Sequence, residues 1–298
     1  MVFTLGESLL DIIFSENSQI TAKAGGSMLN TAVSLGRSGI DVSMVSETGD
    51  DETARIILNF LEENKVQTQF IKKYYHQTTS VALAFLDKDK KPTYSIHKSY
   101  PEKRLLASPM NFDENDVLAF GSMYSIEPAI RHELVQIISH AKNSGAILVF
   151  DPNIRSHKID KSPLRDALLE NIAFANIIKA SDEDLQNIFG GLSFEDCFSE
   201  IKRVDADAIF VITLGKEGVI AFYKEIVLSL PAKEVRLVST IGAGDAFTAG
   251  MIYFLEKNNI SRNKLLEMDK NTLEKMLESG NRFASEVCGS MENYVLGY

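Results

Sequence analysis

Short apolar runs recur along the chain, separated by longer stretches in which apolar residues return every third or fourth position. Val42 to Val45, Val117 to Phe120, Ala146 to Phe150, Ile177 to Ala180 and Ile209 to Leu214 have the near-continuous apolar character of strands covered on both faces. Between them, Ile130, Leu134, Ile137, Ile138 and Ala141 form one face of a helix over about 128–143, with Pro128 suited to its first turn and Gly145 ending it. Thr31 to Arg37 reads as a helix stopping at Ser38-Gly39. Gly49-Asp50-Asp51 opens another that carries Ile56, Ile57, Phe60 and Leu61, and the last long helix spans about 272–288 and stops at Gly289. Val219 to Tyr223 and Ile226 to Leu230 are two strands in direct succession. Strands alternating with amphipathic helices predict an α/β fold: a mostly parallel sheet between two helical layers.

One region departs from this rhythm. Val81, Leu83 and Phe85 alternate with small or polar residues, a charged turn follows, and Thr93 to His97 alternates again, which predicts a β-hairpin. With no helix between them, these strands cannot belong to a βαβ crossover. Together with Ile12 to Lys23 they are expected to form a small separate sheet, over about 12–24 and 77–100, attached to one domain that spans 1–298. No Pro/Gly/Ser-rich linker divides the chain.

Ligands of parallel α/β sheets bind outside the C-terminal strand ends. Asp151, Arg155, Ser181, Thr213 and the turn Gly242-Ala243-Gly244-Asp245 all follow strands in this way. In that turn, two glycines around an alanine let backbone N–H groups approach an anion, and the apolar helix beginning there adds its partial positive charge. Asp245 beside a bound phosphate is electrostatically costly unless it receives a proton from an attacking hydroxyl or helps hold a cation. A simple helix cap explains Gly-Ala-Gly-Asp equally well. Gly25-Gly26 is a second close-approach turn, Asn30 offers a donor and an acceptor suited to a vicinal diol, and Asp11 lies on the strand before it. Ser181-Asp182-Glu183-Asp184 has the form of a capping box with Asp at the third position.

Composition narrows the partners. Asp and Glu number 41 against 31 Lys and Arg, a net charge of −10, which argues against nucleic acid or an anionic membrane surface as partner. Cys197 and Cys288 fall on apolar helix faces and read as reduced core residues; no Cys/His cluster suggests zinc. No apolar run approaches a membrane span, and the start lacks a basic segment, so a cytoplasmic location is expected.

Gly25-Gly26-x-x-x-Asn30, Gly49-Asp50-Asp51, Asp151-Pro152-Asn153-x-Arg155, Thr213-x-Gly215-x-x-Gly218 and Thr240-x-Gly242-Ala243-Gly244-Asp245, in that order over nearly the whole length, resemble the PfkB-type (ribokinase-like) carbohydrate kinases, fructokinase-like branch. The resemblance implies a ribokinase-like three-layer sandwich whose small β-sheet is a lid, and ATP-dependent transfer of the γ-phosphoryl group to a terminal sugar hydroxyl. By that resemblance Asp245 is the base and the amides of Gly242, Ala243 and Gly244 form the anion hole. Asp11, Gly25, Gly26, Asn30 and Arg155 then bind the sugar, and Ser181, Thr213, Gly215, Gly218 and Asn281 bind ATP. Asp184 stands where a glutamate supports Mg²⁺, its shorter side chain calling for a bridging water. Ser239 stands where an Asp helps bind a monovalent cation, which leaves potassium activation open, and His97-Lys98 stands where Tyr-Arg is common. A homodimer through the lid is a further implication. Fructose is the expected sugar; 2-keto-3-deoxygluconate, ribose and nucleosides remain alternatives, as does a catalytically silent sugar- or nucleotide-binding protein.

Overall fold

The strand-like runs of the sequence assemble side by side in a computed structural model, which describes residues 1–14, 20–86, 92–107, 111–154, 163–205 and 207–297. The strands are β1 (Val2–Leu5), β2 (Leu9–Phe14), β3 (Ile20–Gly25), β4 (Val42–Thr48), β5 (Val66–Lys73), β6 (Thr78–Leu86), β7 (Pro92–Ser99), β8 (Val117–Gly121), β9 (Ile147–Asp151), β10 (Ile177–Ser181), β11 (Ile209–Thr213), β12 (Val219–Tyr223) and β13 (Ile226–Leu230). Nine of them form one sheet in the order β13-β12-β11-β10-β9-β8-β1-β4-β5. It is parallel from β5 to β11, and β12 and β13 add an antiparallel edge.

Alternate residues of each buried strand feed two cores. Val117, Ala119, Ile147, Val149 and Ile177 pack with the helices α1 (Ser27–Arg37), α2 (Glu52–Glu63), α7 (Ala243–Lys257) and α9 (Lys270–Cys288) on one face. Leu118, Phe120, Leu148, Phe150 and Ile178 pack with α3 (Arg131–Asn143), α4 (Leu164–Phe174), α5 (Asp182–Phe189) and α6 (Phe194–Val204) on the other. The short α8 (Arg262–Leu266) joins α7 to α9. The three expected layers are therefore present. At Gly250 the backbones of α7 and α9 come close: a Cβ there would stand 2.5 Å from the Ser279 carbonyl oxygen, and the Ser279 hydroxyl donates to the Gly250 carbonyl at 2.7 Å.

The second sheet also matches expectation, in the order β3-β2-β6-β7, with β2 and β6 parallel. Its register puts Asp11, Ala82, Ile96 and Lys98 on one face, and Ile12, Phe14, Ile20, Leu83 and Phe85 on the other. Asp51 ties this sheet to the body. Its carboxylate accepts from the Ala54 N–H at the start of α2, and from the Thr79 N–H and hydroxyl of β6. Gly49 makes this possible, because any side chain there would collide with the backbone of 77–79.

Three boundaries differ from the sequence reading. α1 starts four residues before Thr31, directly after Gly26. α3 starts at Arg131, since residues 128–130 form a turn in which the Ile130 N–H donates to the Glu127 carbonyl. β5 has no counterpart in the periodicity, because Val66-Gln67-Thr68-Gln69-Phe70-Ile71-Lys72-Lys73 is a mostly half-buried edge strand, polar as edges usually are.

Asp51→Ala removes a helix cap and the small-sheet anchor together. Urea denaturation is expected to show a loss of about 1–2 kcal/mol, the upper range for a cap, and hydrogen exchange to show faster opening at Thr79.

Candidate active site

Two helices, α1 and α7, begin on glycines with positive φ and no side-chain cap: Gly26 at φ 126° and Gly242 at φ 80°. Neither position admits a side chain, since a Cβ would collide with the Glu7 carbonyl at Gly26 and the Asn293 carbonyl at Gly242. By contrast α2, α5, α6 and α9 are capped by the side chains of Asp51, Ser181, Ser193 and Asp269. Helix starts leave N–H groups unsatisfied, and with the helix dipole they attract anions. The start of α7 thus keeps the character of an anion cradle.

The two starts face each other. In the first turn of α7, Asp245 is 7% exposed, and its carboxylate accepts from the Ser27 hydroxyl at 2.6 Å and the Asn30 amide at 2.9 Å. The Thr31 hydroxyl donates to the Asp245 carbonyl at 3.2 Å. Asn30, read from sequence as a diol ligand, thus spends its N–H on Asp245, while its buried Oδ1 has no partner among the described residues. That oxygen is available to a hydroxyl. Asp11 lies against Gly25, whose missing side chain leaves room for the Asp11 carboxylate. Ser27 was not legible as a site residue, because the sequence reading began this helix at Thr31 and left Ser27 in the preceding glycine turn.

Across from α7 stands the C-terminal edge of the sheet. β10 and β11 place Ser181 and Thr213 side by side. The Gly215–Glu217 turn follows, with Gly215 at φ 55° and Gly218 at φ 105°. Gly218 lies against the Leu230 carbonyl and the Ala232 N–H, and Asn281 of α9 donates to the Pro231 carbonyl at 3.2 Å. Thr213, Gly215, Gly218 and Asn281 therefore border one region, with Ser181 beside Thr213. The capping box at Ser181 forms as expected and engages Asp184. Its Oδ2 accepts from the Ser181 N–H and hydroxyl, and its Oδ1 from the Ile154 N–H at 2.5 Å. Arg155 lies outside the described residues.

Two buried charges complete this edge. Lys179 donates to Asp151 Oδ2 at 3.0 Å, and the Thr248 hydroxyl of α7 donates to the same oxygen at 2.8 Å. Burial pushes the Asp151 carboxyl up from 3.8 to about 6; Lys179 acts against this and Asp245 and Asp184 add to it. The signal for Lys179 was present in the sequence as a lone charge inside the apolar run Ile177-Ile178-Lys179-Ala180.

At the rim, Lys98 of β7 pairs with Glu7 at 2.7 Å and Glu127 at 3.3 Å. Arg104, 5% exposed, pairs with Glu47 and Glu127. Glu7 follows β1, Glu47 lies within β4 and Glu127 comes after β8, and nothing local in the sequence marked them as partners.

A glycine-built anion cradle, a carboxylate beside it and a loop-lined edge beyond it are the parts that a phosphotransferase needs. The profile of the pfkB family carbohydrate kinases matches residues 2–294, and the chain belongs to that family. It is 31% identical over 270 residues to the fructokinase of Klebsiella pneumoniae, covering 88% of this chain and 86% of the relative. It is 27% identical over 283 residues to that of Rhizobium leguminosarum bv. trifolii, covering 92% and 85%. In fold it matches the Vibrio cholerae O395 fructokinase in its fructose, ADP and calcium ion bound form, with a TM-score of 0.84 at 22% identity over 98% of this chain and 94% of the other. Aminoimidazole riboside kinase from Salmonella enterica, complexed with aminoimidazole riboside and an ATP analogue, superposes with a TM-score of 0.83 at 22% identity over 97% and 94%. The chain is an ATP-dependent carbohydrate kinase, which sets aside the silent binding protein. Among the described residues no helix is long and apolar enough to cross a membrane.

The raised Asp151 value has a testable sign. The folded chain holds this proton more tightly than the unfolded chain, so the contribution to stability is fully present below about pH 4 and is lost as pH rises through about 6. Asp151→Asn is expected to flatten the fall of unfolding free energy across that window, read by urea denaturation at a series of pH values.

Proposed function

We propose that the chain phosphorylates fructose on a terminal hydroxyl. The observation that carries the sugar class is the state of Lys98. It shares a face of the small sheet with Asp11, yet its ammonium is held by Glu7 and Glu127, which raise its pKa against the lowering effect of burial. An acid sugar such as 2-keto-3-deoxygluconate wants an uncommitted cation opposite its carboxylate. A neutral ketohexose wants hydroxyl partners, which Asp11 and the Asn30 Oδ1 supply. The fructokinases among its relatives support the same choice over ribose or a nucleoside.

In this reading Gly25 and Gly26 let the sugar approach, and Arg155 belongs to the sugar or phosphate region by resemblance. Asp245, oriented by Ser27 and Asn30, receives and aligns the acceptor hydroxyl. Orientation matters most here, since phosphoryl transfer passes through a loose transition state in which proton removal comes late. The amides of Gly242, Gly244 and Asp245 stabilise charge on the transferred group, while the Ala243 N–H, expected to share in this, already donates to the Thr240 carbonyl at 3.2 Å. Ser181, Thr213, Gly215, Gly218 and Asn281 line the nucleotide.

Mg²⁺ accompanies the phosphates and neutralises their charge. Asp184 Oδ2 already accepts two hydrogen bonds and Oδ1 one, so a single lone pair remains, which fits a hold through water and not direct ligation. Ser239 accepts from the Ile241 N–H at 3.2 Å and offers no carboxylate to a monovalent cation, so no potassium requirement is assigned. The small sheet acts as the lid over the sugar. Its outer face exposes Ile20 at 61% and Phe85 at 47%, with Phe14 stacked on Phe85, a surface suited to a second copy of the chain. Two free thiols fit a cytoplasmic setting.

A coupled ATP-turnover assay over a panel of fructose, ribose, nucleosides and 2-keto-3-deoxygluconate tests the reading. Fructose is expected to be preferred, and Asp245→Asn to lower kcat by about 10²–10⁴-fold, the usual weight of a positioned acid–base group. Preference for the acid sugar would overturn the neutral-sugar assignment. Glu7→Gln combined with Glu127→Gln frees Lys98, and is expected to shift relative kcat/KM toward 2-keto-3-deoxygluconate.

A further inference from the structure

The apolar face that the central sheet turns toward α7 ends on two charges. Ile147 and Val149 of β9 and Ile177 of β10 lie in the core on that face, and the next residues of the same parity are Asp151 and Lys179. They are 1% and 4% exposed. Removing two such charges from water is expensive, and an apolar pair of similar volume is often no less stable. The pair is also incomplete. Asp151 Oδ2 accepts from both Lys179 and Thr248, while the buried Oδ1 has no partner among the described residues. Lys179 has three donors, and its described hydrogen bond uses one.

What the pair adjoins accounts for it. A Cβ on Gly244 would stand 3.0 Å from the Lys179 ammonium, so Lys179 presses directly on the turn that opens α7. Asp151, Asp184 and Asp245 all lie near enough to act on that ammonium electrostatically. Three carboxylates share one buried cation, at the place where a phosphate chain adds more negative charge. Two uncapped N–H-bearing turns cannot offset that balance alone, because a helix start is equivalent to roughly half a unit charge.

We propose that Lys179 completes the phosphoryl cradle: its ammonium, held under Gly244 by Asp151 and Thr248, donates to the terminal phosphate of the nucleoside triphosphate. Asp151 and Thr248 are positioning residues in this arrangement. The inference rests on reading the start of α7 as the phosphate site, and is independent of which sugar is accepted.

The test uses the full chain, titrated calorimetrically with ADP and with a non-hydrolysable ATP analogue, in the absence of sugar. Lys179→Met leaves Asp151 buried and unpaired and is expected to melt at lower temperature. The neutral pair Lys179→Met with Asp151→Asn is expected to recover most of that stability. In both variants the preference for the triphosphate analogue over ADP is expected to fall by about 10–100-fold, the weight of one charge-assisted hydrogen bond. For fructose turnover, kcat falls with it while the sugar KM moves by less than about twofold, as for an interaction made to the transferred group. A neutral pair that keeps both the triphosphate preference and kcat would reduce Lys179 to a structural role and overturn the proposal. A parent chain that binds neither nucleotide would instead overturn the phosphate-site reading beneath it.

Discussion

The architecture depends on a helix that begins without a side-chain cap. Four of the described helices, α2, α5, α6 and α9, are closed by a serine or aspartate, but α7 opens on Gly242, a residue pressed so closely against Asn293 that nothing larger fits. With glycine at the cap, the missing side-chain bond costs only about a few tenths of a kcal/mol of local stability, and the surrounding layers offset it. α7 is sandwiched between α1, α9 and the central sheet, with Met251, Ile252 and Leu255 wholly buried. The parallel order of β8 to β11 then delivers Asp151, Lys179, Ser181 and Thr213 to the edge facing that start.

The second constraint is charge. A chain of net charge −10 that handles a polyphosphate must supply positive potential locally. In the proposed reading the backbone amides at α7 and Lys179 supply it, while the rim cations Lys98 and Arg104 are held by Glu7, Glu47 and Glu127. In that reading the uncommitted positive groups lie on the nucleotide side, and the acceptor side, polar and acidic, suits an uncharged polyol.

Much of this was legible in the sequence, for local reasons. Apolar runs such as Ala146 to Phe150 can only be buried strands, and the glycine turns at 25–26 and 242–244 announce close backbone approach. Alternation at 81–85 separated the small sheet from the parallel one. What escaped was set by tertiary context. β5 is a polar edge strand that owes its place to β4. Asn30 turned out to serve Asp245 with one end of its amide and to leave the other without a partner among the described residues, a division that only the packing of α1 on α7 decides. The Arg104 cluster joins residues 57 and 23 positions apart, beyond any local pattern. Lys179 was visible as an anomaly, but its meaning depends on the neighbouring strand.

The close backbone approach of α7 to α9 at Gly250 has a mechanical consequence. Sliding one helix past the other there would drive the Gly250 and Ser279 backbones together or break the Ser279–Gly250 hydrogen bond. The start of α7 and the part of α9 that carries Asn281 are thus held together, and under the lid reading proposed above the small sheet, tied to the body through Asp51, is the part left to move over the carbohydrate.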